Sequence, residues 1–212
     1  MATIHRTTMV PGKLDLLGAW LQQQPWYRAT GAPPALTRAG GFRLDDPAGE
    51  VGIEFIFVTD GAGTTYHVPL AYRGAPLPQA EDGLVGTSEH GVLGRRWIYD
   101  AAHDPVAVAR LLDLVRGEAE AQQQNQSDTP DPSVGRHWAG SGGLGAPSPL
   151  QVTHTEQGRT TVAVADDAGP RFLDVVRVLA PADDAVTGLG HVTAGWTRPD
   201  GTVARGPVAV VR

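Results

Sequence analysis

Cysteine is absent from this chain, so disulfide frameworks, thiol chemistry and cysteine-ligated zinc are excluded. Lysine is nearly absent: Lys13 is the only one, and every other cation among the 17 Lys and Arg is arginine. Chemistry that needs a lysine must therefore use Lys13 or do without. No stretch approaches the ~18 consecutive apolar residues of a membrane span. Met1 to Arg6 has neither an apolar core nor a signal-cleavage pattern. These absences imply a cytoplasmic protein with no membrane partner. A basic surface is missing as well. The net charge is −6, and Arg95-Arg96 is the nearest thing to a cationic cluster, so nucleic acid is not an expected partner.

What is present reads as a folded, turn-rich chain. Hydrophobic residues make up 41% and charged residues 19%, which suits a globular protein of one moderate domain or two small ones. Gly 27 and Pro 17 punctuate short apolar runs instead of forming one tract, as expected for many turns between short strands. Leu14, Leu17 and Leu21 lie on one face of a short helix that ends before Pro25. Phe42 to Leu44, Val51 to Thr59, Thr64 to Tyr72 and Val92 to Tyr99 read as strands, with Asp60 to Gly63 as a hairpin turn. On the second of these strands Ile53, Phe55 and Phe57 share a face that should be buried, and Glu54 should reach solvent or a partner. Asp104 caps a further helix with Pro105 at its first position and a stripe of Val108, Leu111, Leu112 and Val115.

The expected fold class is α+β, an antiparallel sheet with packed helices followed by a strand-rich unit. Residues 1–124 form the first unit, 125–149 a linker or long loop, and 150–212 the second unit. Its strands are expected at 150–155, 160–165, 172–179, 191–196 and 203–211, with Pro199 to Gly201 turning the last pair.

Motifs for catalysis are weak. Gly140, Gly142 and Gly145 fit G-x-G-x-x-G, but no strand precedes them, and Pro147 and Pro149 forbid the helix that would hold a pyrophosphate. No two of the seven histidines have the i, i+4 spacing of a helical zinc site, so no metal is expected. Glu89-His90 fits half of an acid–base pair, with a polar turn as the plain alternative. Among the five tryptophans, Trp20, Trp97 and Trp196 lie in periodic apolar stretches and should fill the core. Trp26 and Trp138 do not, and they are the candidates for ligand contact.

Trp20 to Tyr27 (WLQQQPWY), the hairpin Ile53 to Arg73, and Tyr99 to Ala101 followed by Asp104-Pro105 resemble the N-terminal cap of bacterial maltokinases. Thr155 to Val162 and Phe172 to Arg177 are similar to the next two strands of that family, so the second unit resembles a kinase N-lobe. The family implies a kinase that makes maltose 1-phosphate from maltose and Mg²⁺·ATP. It also implies that Glu156, Gln157, Gly158 and Arg159 stand where the nucleotide turn lies, and Asp174 where a phosphate-pairing lysine belongs. An aspartate there repels a triphosphate, and the chain ends at Arg212 before the lobe that carries the catalytic carboxylates. The expectation is a stand-alone cap-like protein with no catalytic residue and no cofactor. Its role would be interaction or regulation, with a protein partner in maltose, trehalose or α-glucan metabolism. The candidate partner surface is the loop from Pro76 to Glu89, with Leu77, Leu84 and Val85 as anchors. The alternatives are a carbohydrate or small-molecule binding module, and an enzyme of unrecognised chemistry around Glu89-His90.

Overall fold

A computed structural model describes residues 8–29, 31, 33–140, 142–146, 150–155, 157–166, 169–182 and 186–212. The fold is α+β with sheet strongly dominant: two seven-stranded antiparallel sheets and, among the described residues, two α-helices. The first sheet contains β1 (Met9–Val10), β2 (Thr37–Leu44), β3 (Val51–Thr59), β4 (Thr65–Arg73), β5 (Leu84–His90), β6 (Gly94–Asp100) and β7 (Gln122–Gln123). Their spatial order is β1-β5-β6-β4-β3-β2-β7. The second sheet contains β8 (Gly135–Trp138), β9 (Leu144–Gly145), β10 (Val152–Thr155), β11 (Arg159–Asp166), β12 (Gly169–Val176), β13 (Gly190–Thr197) and β14 (Val203–Val211). These run in the order β10-β11-β12-β14-β13-β8, with β9 also on β11. The helices are α1 (Lys13–Leu21) and α2 (Pro105–Arg116).

The turn Asp60–Gly63 shows why the β3–β4 hairpin forms where it does. The Asp60 carboxylate accepts from the amides of Ala62 and Thr64, at 3.0 and 2.9 Å, and Gly63 supplies the left-handed φ of 84°. β3 then buries both faces. Ile53, Phe55 and Phe57 enter the core between the two sheets and α2, where Phe42 and Phe55 stack at 4.4 Å. Ile56 and Val58 enter a second core beneath α1, with Leu17, Trp20 and Leu21. The helical stripe therefore runs through Trp20 and leaves Leu14 exposed. In α2 the Asp104 carboxylate caps the amides of Val106 and Ala107, and Val108, Leu111, Leu112 and Val115 are all buried, as the spacing predicts.

The two sheets are joined by the chain that follows β12. His67 donates its backbone N–H to Arg177 at 2.8 Å, Leu179 donates to Thr65 at 2.8 Å, and Tyr66 bridges Val178. That segment continues the line of β6 along the open part of β4. One apolar cluster accordingly spans β2, β3 and α2 of the first half and β11 to β14 of the second. Where a linker or long loop is expected, β8 pairs with β13 and β9 with β11.

The sequence expectation also differs at Pro76 to Glu89. Pro78–Gly83 is a 3-10 helix and Leu84–His90 is a strand, because the amides and carbonyls of Gly86 to His90 find partners on β6 despite little apolar alternation. Phe55→Ala should cost about 3–5 kcal/mol, since Phe55 is fully buried between the sheets. Urea midpoints measure this directly, and an unchanged midpoint would mean that Phe55 is not packed in the core between the sheets.

Candidate functional site

Of the positions expected at a nucleotide turn, Arg159 and Asp174 meet at one end of the β11–β12 hairpin, where Thr161 faces Asp174 and Arg159 faces Val176. Asp174 is 1% exposed. Its carboxylate accepts from the Thr161 hydroxyl (2.7 Å), from Arg212 (2.7 and 3.3 Å) and from Arg159 (3.2 Å). Burial pushes its pKa up, but the hydrogen bonds from Arg212 and Thr161 and the two arginine charges outweigh that, holding the group below the usual carboxylate range. Gly158 is buried in the tight turn before β11, with φ 79°, and a Cβ there would meet Val178 at 2.9 Å. Gln157 and Arg159 are exposed, and Glu156 lies outside the described residues.

The two candidate ligand tryptophans meet different fates. Trp26 is 1% exposed, which overturns its reading as a contact residue. The chain after Pro25 folds back under the first sheet, where the indole packs edge-on to Trp20 at 5.8 Å and lies beneath the Arg177 guanidinium at 5.3 Å. Trp138 is half-buried on β8, opposite Gly190, and leans on the inter-sheet core.

The candidate partner residues lie on the rim of the first sheet. Leu84 is exposed, Val85 is half-buried against the core beneath α1, and Leu77 is half-buried with its amide bonded to the Tyr99 hydroxyl at 2.8 Å. Glu89 and His90 are successive residues of β5 and point to opposite faces, which removes the acid–base pair. His90 Nδ1 accepts from the amides of Val92 and Leu93, at 3.3 and 3.0 Å, and so closes the β5–β6 turn.

Two polar centres escape sequence reasoning. The first is Glu54, which is 6% exposed rather than solvent-facing. It accepts from Lys13 (2.5 Å), Arg38 (2.8 Å), Tyr72 (2.9 Å) and Gln124 (3.2 Å), so four segments distant in sequence converge on one carboxylate. Burial raises its pKa, but Lys13 above all, with Arg38 and Tyr72, brings it below the usual value. Beside it is a cavity of about 420 Å³ lined by Lys13, Arg43, Tyr72, Arg96 and Gln124 among others. The only lysine is thus tied to Glu54 on the first sheet.

The second centre is the buried pair Arg177–Asp100, both 0% exposed, with Nη2 at 2.8 and 2.6 Å from the two carboxylate oxygens. Arg177 Nε donates to Thr160 at 2.7 Å. Next to it His67 is sealed in the core. Burial, and then the charge of Arg177, hold its pKa down to about 3.

Among known families, the maltokinase N-terminal cap domain matches residues 20–104. The match runs from Trp20 in α1 through β2 to β6 and stops at Asp104, the cap of α2. The resemblance read from Trp20 to Tyr27, the β3–β4 hairpin and Tyr99 to Ala101 is therefore shown over that region. The second sheet lies outside it. No described helix is long and apolar enough to cross a membrane.

Proposed function

We propose that this chain is a cytoplasmic interaction or regulatory module built on a maltokinase-type cap, without phosphoryl-transfer activity, and that its partner is an enzyme of maltose, trehalose or α-glucan metabolism. Asp174 carries the reading. In a kinase a lysine pairs the nucleotide phosphates. On the reading of β10 to β14 as an N-lobe-like unit, that position holds a buried carboxylate bound to Arg159, Arg212 and Thr161. Lys13, the only lysine, bonds Glu54 on the other sheet.

The partner surface lies along β5 and the turn after it. Leu84, Val92, Leu93 and Val10 are 38%, 62%, 46% and 67% exposed, and Glu81, Asp82, Glu89 and Arg95 are exposed around them. Apolar anchors ringed by charge suit a modest interface. Val85 and Leu77 contribute to the protein's own packing and are left unchanged in the test. Leu84→Ser with Leu93→Ser should weaken capture of enzymes of α-glucan metabolism from the same host by about tenfold or more, with the melting temperature nearly unchanged. Undiminished capture would remove this surface from the proposal.

A small polar ligand is the second reading. The cavity beside Glu54 favours it, and the buried Trp26 does not. A ligand held there would be lost with Gln124→Ala while partner capture persists, which separates the two readings.

A further inference from the structure

We propose that His103, His154 and Asp100 form a binding site for a divalent transition ion of the zinc class, which pins edge strand β10 to the turn leading into α2. The two histidines are 51 positions apart, His103 in the turn that follows β6 and His154 on β10 of the second sheet, and their Nε2 atoms lie 3.2 Å apart. Zinc–nitrogen bonds of about 2.0–2.1 Å at a tetrahedral angle put two ligand nitrogens roughly 3.3 Å apart. Asp100 supplies a third donor close by, since one ligand atom from each of the three side chains lies within 4.8 Å of the other two. Among the described residues this is the cluster of such groups that can share an ion.

The surroundings prepare the imidazoles as ligands. His154 is oriented by its other nitrogen, Nδ1, at 2.9 Å from the Thr160 hydroxyl, the outer-shell contact that metal-bound histidines ordinarily have. Burial lowers the pKa of both rings, which keeps them neutral at neutral pH. Asp100 Oδ1 accepts from Arg177 and from the Ala102 amide, and Oδ2 accepts from Arg177; a carboxylate oxygen can accept a second bond. Arg177 already neutralises that carboxylate. The site therefore offers two imidazoles and little net negative charge, which suits zinc, copper or nickel and disfavours magnesium and calcium.

The test uses the full chain without a polyhistidine tag, and the metal alone as probe. Calorimetric titration should give a zinc dissociation constant below about 10 μM. At a hundredfold excess over that constant the melting temperature should rise by about 5 °C or more. His103→Asn and His154→Asn should each weaken binding by about 100-fold or more, while His137→Asn, in the separate His137–His191 pair on β8 and β13, should leave it unchanged. Should either variant fold poorly, ring-nitrogen shifts of the wild-type histidines on zinc addition identify the ligands. Failure of 100 μM zinc to bind overturns the proposal and leaves an imidazole–imidazole hydrogen bond. Equal binding by magnesium, or zinc shifts at histidines other than His103 and His154, overturns it too.

Discussion

Replacing Arg177 by methionine should lower folding stability by about 3–5 kcal/mol. Arg177 and Asp100 are both fully buried, and Asp100 has no other cation against its carboxylate at ion-pair distance among the described residues. Burial alone would push its pKa up, and the Arg177 charge brings it below the usual carboxylate range instead. Removing the guanidinium leaves a desolvated charge inside the joint between the sheets, where Arg177 also bonds Thr160 and covers Trp26. Adding Asp100→Asn to the same variant should recover much of the loss, because the uncompensated charge then disappears. Urea unfolding of wild type, single and double variants gives the comparison. A single variant within about 0.5 kcal/mol of wild type, as for an ordinary surface site, would mean that this pair does not hold the joint.

Acid should unfold the protein through His67. The unfolded chain titrates near the ordinary histidine value, whereas the folded state holds His67 neutral until about pH 3. Between these values the unfolded state binds the extra proton. The stability linked to the neutral ring is therefore complete above about pH 6.5 and is lost as pH falls towards 3, by up to roughly 5 kcal/mol. His103, His154 and His191 are shifted in the same direction by burial and add to the slope. His67→Gln should flatten the acid limb of a stability-against-pH curve. An acid limb identical to that of wild type would assign the loss to other groups.

The parts of this fold that were legible in the sequence are those written in local periodicity. The β3–β4 hairpin, the Asp104 cap and stripe of α2, and strands β10 to β14 of the second sheet follow from alternation, turn chemistry and capping within a few residues. β5 was not legible, because Gly86 to Glu89 alternates no large apolar residues and its edge is secured from afar, in part by the Ser88 hydroxyl on Pro11. Trp26 looked exposed because nothing local shows the chain turning back beneath Tyr66 and Arg177. Glu54 and the His103–His154 pair were hidden for the same reason. Their partners come from Lys13, Gln124 and the opposite sheet, and no spacing rule within one element connects them. Asp174 lies outside the matched residues 20–104, and the structure adds that its carboxylate is buried and paired with Arg159 and Arg212.

Titration of the purified chain with Mg²⁺·ATP tests the central claim most directly. The account predicts no binding tighter than about 100 μM, roughly 5.5 kcal/mol, and no ATP hydrolysis. Asp174→Lys should not create hydrolysis either. A dissociation constant below that value, or turnover by the wild-type chain, would contradict the reading of this chain as a module without phosphoryl transfer.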